Sequence, residues 1–507
     1  MDISFNLEVL GQIKYSFTQF ASRPAFCIGN SFYTYRALAQ RVASIRRSIQ
    51  DCFSGSSSMH HIVAVCIRDN IDTYASILAL WLEGDAYVPL NPLHPKERNL
   101  GIINQVGIRY VIDSSLDPTS FDNCRLINTY QIEDAECELE EYGHVSDDSL
   151  AYILFTSGST GIPKGVCITR GNVAAFMDSF WKTGISVFPD DRCLQCFDLT
   201  FDVSIQSFLV ALTKGACVYT VPYGQVKYLY VARLIQEQGI TFGAMAPSML
   251  TYLRPYFNEL DASSLRVCIL TAEACTIDLL EAWSRCACNA ELYDFYGPTE
   301  STIYCSYYRF ARGGNNLSFN GVVSIGKPFV HVRAYILDDA GNELLGGQKG
   351  ELCIAGEQLT PGYWNSPEKN ESSFFTKLIN GEEHRFYHTG DVCCWDESGN
   401  IMYINRKDQQ VKIQGFRVEL SELEYHTREF YDNNRRVLAM SFDGTSGLTE
   451  IALFVETQPE NPESLLNYLR SKMPTYMIPS KIIYMPIFPL NSSDKVDRNR
   501  LKTELVQ

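Results

Sequence analysis

The stretch Thr156-Ser-Gly-Ser-Thr-Gly-Ile-Pro-Lys-Gly-Val166 decides how the rest of this sequence is interpreted. An apolar run, 150–155, precedes it and a second one begins at Val166, so we predict a tight polar loop between two buried strands. Its glycines let the backbone approach a ligand closely, and its hydroxyls and Lys164 add donors and a positive charge. Backbone amides, hydroxyls and one lysine together make a phosphate cradle. No Gly-Lys-Ser/Thr follows at the P-loop offset, so the pattern predicts a phosphate loop of another kind.

Length and composition exclude several classes of protein. A chain of 507 residues is too long for one core and predicts two or more domains. The net charge of −16, from 59 acidic and 43 basic residues, argues against binding to nucleic acid or to a membrane surface. The start of the sequence carries no secretory signal pattern and no apolar run is long enough to span a bilayer. We therefore expect a cytoplasmic protein whose 17 cysteines are reduced.

The fold class follows from the order of the local patterns. Strand-like and helix-like segments alternate through the first part of the chain, for example the helix predicted over 70–83 and the strand over 266–271, which predicts an α/β fold with largely parallel sheets. From about Gly326 short strands with Gly and Asn turns predict a β-rich subdomain, about 326–405. We predict an N-terminal core of residues 1–405 and a smaller α+β domain of residues 406–507.

Further short stretches concentrate residues that can carry chemistry. They are Phe201-Asp-Val-Ser204, Tyr293-Asp-Phe-Tyr-Gly-Pro-Thr-Glu300, His388-Thr-Gly-Asp391, Arg406-Lys-Asp408 and Ser493-Asp-Lys-Val-Asp-Arg498. With the glycine-rich loop, in this order along nearly the whole chain, they resemble the adenylate-forming superfamily. More closely, they resemble the amino-acid adenylation domains of nonribosomal peptide synthesis and the stand-alone D-alanine–carrier protein ligases. The resemblance implies a large N-terminal domain of layered α/β sheets with a β-rich subdomain, and a small mobile C-terminal domain.

The resemblance also implies a reaction. A carboxylate is joined to the α-phosphate of ATP with Mg²⁺ present, pyrophosphate is expelled, and the acyl group then passes to the phosphopantetheine thiol of a carrier protein. Lys495 is implied to bridge the substrate carboxylate and the α-phosphate. Glu300 is implied to hold Mg²⁺, Thr299 to contact the α-phosphate, Tyr296 to stack on adenine, and Asp391 to accept hydrogen bonds from the ribose.

The remaining nucleotide contacts are implied in the same way. Catalytic roles fall on Thr156, Lys164 and Glu300 besides Lys495, and Asp408 matches the hinge about which the C-terminal domain rotates. Asp294 stands where the family usually has Asn. The full implied nucleotide set is Thr156, Ser157, Gly158, Ser159, Thr160, Gly161, Lys164, Asp294, Phe295, Tyr296, Gly297, Thr299, Asp391, Tyr403, Arg406 and Lys495.

The residues at the positions that match the family's substrate pocket predict the class of substrate. Asp202 is implied to pair with the α-ammonium of an amino acid. The other matching residues carry no charge, which predicts an apolar side chain, and the bulk of Phe295 and Tyr304 predicts a compact one. L-Proline is our first hypothesis and D-alanine, or another small apolar amino acid, is the second. The pocket set is Asp202, Val203, Gln206, Ala244, Leu270, Ala272, Phe295, Ile303 and Tyr304.

Two other functions stay open at this point. An acyl-CoA or aryl-acid ligase would share the fold, although its substrate has no ammonium group to pair with Asp202. A non-catalytic nucleotide-binding protein is the second alternative, and the retention of Lys164, Glu300, Asp391 and Lys495 argues against it. Only a short tail follows Lys495 in these residues, so we expect the carrier protein to be a separate partner.

Overall fold

The structure is a computed structural model and describes residues 3–54, 60–134, 145–158, 161–379, 381–408, 410–444, 447–489 and 496–505. Three of the predicted site residues, Ser159, Thr160 and Lys495, lie outside these ranges. The chain divides into two compact units. The first unit comprises Met1–Pro92, Ile103–Phe155 and Gly165–Lys407, and the second comprises Leu93–Ile102, Thr156–Lys164 and Asp408–Gln507.

The helices and strands alternate as the sequence predicts. In chain order the helices are α1 (Gln12–Gln19), α2 (Tyr35–Phe53), α3 (Ile71–Glu83), α4 (Lys96–Val106), α5 (Arg170–Lys182), α6 (Asp202–Leu212), α7 (Lys227–Gln238), α8 (Pro247–Leu253), α9 (Ile277–Cys286), α10 (Pro367–Ser373), α11 (Leu420–Phe430), α12 (Glu463–Lys472) and α13 (Arg498–Thr503). The strands are β1 (Pro24–Ile28), β2 (Ser31–Thr34), β3 (Ile62–Cys66), β4 (Ala86–Leu90), β5 (Tyr110–Asp113), β6 (Arg125–Asn128), β7 (Leu150–Thr156), β8 (Lys164–Thr169), β9 (Arg192–Gln195), β10 (Cys217–Thr220), β11 (Phe242–Met245), β12 (Val267–Thr271), β13 (Glu291–Tyr296), β14 (Ser306–Arg309), β15 (Ser318–Phe319), β16 (Val322–Val323), β17 (Lys327–Pro328), β18 (Val332–Leu337), β19 (Gly350–Gly356), β20 (Gly362–Tyr363), β21 (Phe374–Ile379), β22 (Glu382–Trp395), β23 (Ile401–Arg406), β24 (Gln410–Ile413), β25 (Phe416–Glu419), β26 (Val437–Asp443), β27 (Thr449–Glu456) and β28 (Lys481–Met485).

Two largely parallel sheets dominate the first unit. Among the described strands, one sheet has the order β20-β8-β7-β4-β3-β5-β6, and the other has the order β17-β14-β13-β12-β11-β9-β10-β1-β2. Antiparallel pairing occurs toward the ends of the second sheet, where β2 pairs with β1, β14 with β13 and β17 with β14. The inner strands are buried almost throughout, as in β4 and β12, which suits parallel strands covered on both faces. The predicted α/β layered fold is confirmed.

Two buried helices lie between these sheets. Helix α3 packs on β3 and β4, and α6 packs on β9, β10 and β11. The two helices meet where the rings of Tyr74 and Phe208 lie 5.7 Å apart. Helix α3 begins where the Asn70 side chain accepts a hydrogen bond from the Thr73 amide, and it ends at Gly84, whose φ of 85° is readily available only to glycine. Because water is excluded from both faces, α3 and α6 are apolar nearly all round.

The β-rich part of the first unit is an antiparallel sheet over Val332–Arg406. Its strands run in the order β18-β19-β22-β21, and β23 pairs with β22. The core side chains Ile336, Leu352 and Ile354 of this sheet belong to the same apolar cluster as the helices α3 and α6. The sheet therefore shares the core of the first unit.

The second unit has its own apolar core. Its strands form a hairpin, β24-β25, and a sheet of order β26-β27-β28. Helices α11 and α12 pack on one another, and the cluster that joins them to the strands includes Val418, Leu423, Leu453 and Leu469. The boundary after Lys407 falls next to the predicted hinge residue Asp408. No described helix combines the length and the apolar character that a membrane crossing requires.

Candidate active site

The first group of predicted residues gathers around the carboxylate of Asp391. Asp391 lies on β22 and faces Arg406 directly on the antiparallel neighbour β23. The Arg406 guanidinium donates to Asp391 Oδ1 over 2.8 Å, and the phenol of Tyr296, at the end of β13, donates to the other oxygen, Oδ2. Burial, and then the charge of Asp391, raise the pKa of Tyr296. The structure thus brings together three residues that the sequence separates by up to 110 positions.

The second group forms the tight turn that follows β13. Residues Thr299–Ser301 make one turn of 3₁₀ helix, and Glu300 within it has no solvent exposure. The phenol of Tyr363, on β20, donates to Glu300 Oε1 over 2.7 Å. The Thr360 amide donates to the Glu300 carbonyl over 2.8 Å. Glu300 therefore has both its carboxylate and its backbone held by the same segment of chain.

Gly297 has a steric role in this turn. A Cβ at Gly297 would lie 2.6 Å from the Ile303 carbonyl oxygen and 2.6 Å from the Tyr304 Cα. The Cys305 amide donates to the Tyr296 carbonyl over 2.8 Å, which brings together the chain segments before and after the turn. No side chain fits there, so the Gly-Pro turn of the predicted motif is required by packing.

Asp202 lies at the start of a buried helix. It is the first residue of α6, where the amino-terminal end of the helix favours a negative charge, and only 7% of the residue is exposed. The charge of Asp202 adds to burial in raising the pKa of Tyr304, Tyr87 and Tyr152. A buried carboxylate next to three phenols is suited to a cationic partner.

Three of the other predicted pocket residues lie on neighbouring strands. Ala244, Leu270 and Phe295 come from β11, β12 and β13, which are adjacent and parallel, so their carboxyl ends meet at one edge of the sheet. The Tyr304 phenol donates to Gln206 Oε1 over 3.4 Å, and its ring meets Phe295 edge to face at 5.1 Å. The remaining members are Val203 on α6, Ala272 after β12 with a φ of 72°, and Ile303 beside Tyr304.

Two tyrosines near Asp202 were not among the predicted site residues. Tyr87 on β4 and Tyr152 on β7 are register partners, and their rings lie 5.8 Å apart. Among the described residues neither buried phenol oxygen has a hydrogen-bond partner. Buried hydroxyls are normally satisfied, so these two groups are available to a ligand or to water. The only signal in the sequence is one polar atom in each of two apolar strands, which is too weak to identify them.

The predicted phosphate loop connects β7 and β8 as expected, and it belongs to the second unit. The Ser157 hydroxyl donates to the Arg417 carbonyl over 2.9 Å and accepts from the Glu419 amide over 3.0 Å. A Cβ at Gly161 would fall 2.2 Å from the ring of Tyr425, and its φ is 79°. Lys164 is the first residue of β8, and the buried Thr156 hydroxyl has no partner among the described residues.

One loop amide is bound by a carboxylate. The Gly158 amide donates to Glu422 Oε2 over 3.2 Å, and the other oxygen of Glu422 accepts from Arg98 over 2.7 Å. Glu422 is fully buried and the Arg98 side chain is 7% exposed. The Gly158 amide, which we predict to bind phosphate, therefore donates to a carboxylate in this structure.

The remaining predicted residues are placed as follows. Tyr403 lies on β23 opposite Cys393, Asp294 is buried on β13, and Asp408 accepts from the Gln410 amide over 3.1 Å. Lys495, Ser159 and Thr160 lie outside the described residues.

Among the described residues, Glu300 and one cluster of three side chains offer atoms that could hold a metal ion. Glu300 offers carboxylate oxygens, the ligands that Mg²⁺ prefers. Elsewhere, the possible ligand atoms of Glu351, Cys353 and His388 all lie within 4.8 Å of one another. The Lys407 ammonium group, however, lies 3.4 Å from Glu351 Oε2, and its positive charge disfavours a cation there.

Several known proteins are similar to this chain in sequence. The sequence model of the AMP-binding enzyme family matches residues 13–364. One of the linear gramicidin synthase proteins of Brevibacillus parabrevis is 30% identical over 492 residues, covering 94% of this chain and 9% of that protein. A plipastatin synthase protein of Bacillus subtilis (strain 168) is 32% identical over 483 residues, covering 94% of this chain and 18% of that protein. The chain therefore spans less than a fifth of the length of these two relatives.

Solved structures share the fold across the whole chain. Holo-PA1221, an NRPS protein containing adenylation and PCP domains bound to a vinylsulfonamide inhibitor, superimposes with a TM-score of 0.86 at 22% identity, covering 98% of this chain and 84% of that one. The Vibrio cholerae adenylation domain AlmE, solved with glycyl-adenosine-5'-phosphate, gives a TM-score of 0.85 at 24% identity, covering 100% and 98%. At these identities the likeness shows the adenylate-forming fold.

Proposed function

Because the chain belongs to the AMP-binding enzyme family and is an adenylate-forming ligase, we propose that it activates an amino acid as its aminoacyl-AMP and transfers it to the phosphopantetheine thiol of a carrier protein. The observation that carries the amino-acid assignment is the buried carboxylate of Asp202 at the head of α6. The α-ammonium group of an amino acid is a cation that can pair with a buried carboxylate.

The proposed chemistry has two steps. In the first, a carboxylate oxygen of the amino acid attacks the α-phosphorus of ATP, and the bond from that phosphorus to the bridging oxygen breaks, releasing pyrophosphate. In the second, the thiol loses its proton and attacks the acyl carbon, and AMP leaves. We assign to Lys495 the stabilisation of the charge that develops at the α-phosphate, and to the loop 156–164 the binding of the leaving phosphates. Both roles come from the resemblance of the sequence.

The nucleotide contacts rest on the groups around Asp391. Its carboxylate is already oriented by Arg406 and Tyr296, so it would accept hydrogen bonds from a ribose with little further ordering. Tyr296 and the Gly297 turn lie at the end of β13, where we place the adenine ring. Thr299, two residues further, would contact the α-phosphate.

Glu300 fits the proposed metal site because it offers a buried carboxylate with one oxygen already held by Tyr363. Mg²⁺ bound there would neutralise phosphate charge. The contribution of the chain itself is to orient this carboxylate through the phenol of Tyr363.

The mobile part of the enzyme is also a proposal. We assign residues 406–507 to a C-terminal domain that rotates about Asp408 between the two steps and withdraws Lys495 after adenylation. The boundary of the two compact units after Lys407 supports a flexible point at this position.

The substrate side chain is proposed to be compact and apolar. Phe295 and Tyr304 meet edge to face at the pocket and take up volume, while Val203, Ala244, Leu270 and Ala272 bring no charge. L-Proline is the first candidate, because the order Asp202, Val203, Gln206 and Ala272 resembles proline-activating domains. D-Alanine is the second candidate, and it suits the volume taken by the two aromatic rings.

Pyrophosphate exchange across all amino acids, with acetate and benzoate added to the panel, tests the proposal. We expect exchange with one or a few small apolar amino acids. Exchange only with the simple acids would replace the proposal by an acyl-CoA or aryl-acid ligase, and no exchange with any acid would favour a non-catalytic nucleotide-binding protein. Addition of a separately produced carrier protein bearing phosphopantetheine then tests transfer to a partner chain.

Two variants separate the assigned roles. Lys495→Ala should still bind ATP but lose adenylation by several orders of magnitude, because this charge is expected to stabilise the transition state more than it stabilises bound ATP. Asp202→Asn should raise the KM for amino acids at least about tenfold while leaving the KM for ATP nearly unchanged. An unchanged amino-acid KM in Asp202→Asn would remove the main support for the proposal.

A further inference from the structure

The backbone that follows Glu300 is strained. Thr302 and Ile303 have φ values of 58° and 70°, in the left-handed region that β-branched residues avoid. The Tyr304 amide donates to the Thr302 carbonyl over 2.9 Å, which makes Ile303 the centre of a γ-turn with positive φ, the rare and strained form. Such a conformation persists only when its surroundings hold it in place.

The side chain of Gln358 contacts three carbonyls of this turn. Its side-chain amide lies 2.7 Å from the Tyr304 carbonyl oxygen, 3.3 Å from that of Ser301 and 3.4 Å from that of Thr302. In return, the Thr302 hydroxyl donates to the Gln358 carbonyl over 2.6 Å. The two amide hydrogens are shared among three carbonyls, and the shortest contact is to Tyr304.

Gln358 is itself held from the opposite side. The Asn172 side chain on α5 donates to the carbonyls of Glu357 over 2.7 Å and of Leu359 over 3.1 Å, the two neighbours of Gln358. Gln358 is 1% exposed, so its amide faces a dry environment in which each hydrogen bond is costly to lose. A series of hydrogen bonds therefore runs from α5 through Gln358 to the turn.

We propose that Gln358 is a positioning residue for substrate selection, because its amide holds the strained turn that places Ile303 and Tyr304 at the pocket headed by Asp202. Gln358 acts through the turn: the Tyr304 phenol lies beside Gln206, and its ring packs on Phe295. The statement that the pocket selects an amino acid rests on the proposed function. The statement that Gln358 holds the turn rests on the hydrogen-bond geometry alone.

The kinetic test compares Gln358→Glu, which keeps the size but replaces the amide donors by a carboxylate, with the wild type. We expect the KM for the preferred amino acid to rise at least about tenfold, the selectivity among small amino acids to broaden, and the KM for ATP to change less than about threefold. The control is Asn400→Ala, which removes another buried carboxamide, bonded to Asp396 in a turn of the β-rich sheet, and should change none of these. Unchanged selectivity and amino-acid KM in Gln358→Glu would overturn the proposal.

A second measurement does not depend on catalysis. The change in unfolding free energy caused by Gln358→Ala is measured in the wild-type background and in Thr302→Gly, because glycine adopts positive φ without strain. If Gln358 holds the turn against strain, Gln358→Ala lowers the denaturation midpoint less in the glycine background. An equal loss in both backgrounds would show that Gln358 only fills space. If the wild type activates no amino acid, the proposed function is wrong. The comparison of the two backgrounds still shows whether Gln358 holds the turn.

Discussion

The phenol of Tyr363 donates a hydrogen bond of 2.7 Å to the carboxylate of Glu300, although 63 residues separate them in the sequence. The contact exists because β20, which carries Tyr363, joins the edge of the sheet at β8, while Glu300 follows β13 of the other sheet. A buried carboxylate that we assign to metal binding is thus oriented by a residue from a different sheet.

Tyr363→Phe tests this orientation. The substitution removes the hydrogen bond to Glu300 Oε1 in a buried site, and such a loss costs about 1–3 kcal/mol. We expect the Mg²⁺ concentration that half-saturates pyrophosphate exchange to rise about tenfold, and MgATP binding measured by calorimetry to weaken in parallel. Tyr335→Phe removes a phenol from β18 and should leave both values unchanged. Wild-type Mg²⁺ dependence in Tyr363→Phe would contradict the assigned role of the contact.

Asp391→Asn tests the nucleotide site. The substitution keeps the shape of the side chain but removes the charge that faces Arg406 and Tyr296, and charged hydrogen bonds contribute about 1.5–3 kcal/mol. We expect the dissociation constant for ATP to rise about tenfold to 100-fold, measured by calorimetry. The matched variant Asp396→Asn changes a carboxylate that bonds to its own turn and should bind ATP normally. Equal ATP affinity in both variants would argue against a ribose contact at Asp391.

The buried pair of Arg98 and Glu422 should stabilise the second unit only as a pair. Removal of one partner from a buried ion pair costs about 3–5 kcal/mol, because the other charge is left without compensation. We expect Arg98→Met and Glu422→Leu each to lower the denaturation midpoint strongly, and the double variant to lose less than the sum of the two. The measurement is a double-mutant cycle by chemical denaturation. Additive losses would show that the two side chains are not coupled.

Asp85 should make stability depend on pH. Burial raises the pKa of Asp85 to about 7, opposed by the hydrogen bond from the His61 amide; Glu83 raises it further and Arg170 lowers it. The unfolded chain releases this proton near pH ~4, so between about pH 4 and 7 the folded state binds more protons, and the free energy of unfolding falls as the pH rises. The contribution of Asp85 to the free energy of unfolding is complete below about pH 4 and is lost above about pH 7.

The variant Asp85→Asn should remove this dependence. We expect its melting temperature, relative to the wild type, to be higher at about pH 8 than at about pH 5. The exposed Asp117, changed in the same way, should leave the pH profile unaltered. A wild-type slope in Asp85→Asn would assign the pH dependence to other groups.

Much of the fold could be predicted from local pattern alone. The helix predicted over 70–83 forms over Ile71–Glu83, because Asn70 supplies the cap and Gly84 the left-handed end, and both residues directly adjoin the helix. The strand predicted over 266–271 forms over Val267–Thr271. The loop after Thr156 lies between two strands because apolar runs border it on both sides. Each of these features depends on neighbours in the sequence, so periodicity and turn residues are sufficient to identify it.

Some contacts could not be predicted in this way. The sequence argues against positive φ at Thr302 and Ile303, since both are β-branched, and it contains no local sign that Gln358 would hold them. The hydrogen bond between Glu422 and the Gly158 amide likewise cannot be predicted from local sequence patterns, because 264 positions separate the two residues.

The sequence by itself determined the order of strands, helices and loops, since apolar periodicity and turn residues are local properties of the chain, and its motifs predicted a set of residues for the chemistry. The tertiary structure alone decided which residues meet, including several that the sequence did not single out: Tyr363 lies at Glu300, Gln358 at Tyr304, and the phenols of Tyr87 and Tyr152 near Asp202. The physical reason is that such partnerships depend on the order of strands in a sheet and on the packing of one sheet against another. Those relationships are set by the free energy of the whole fold, and no local window of sequence contains them.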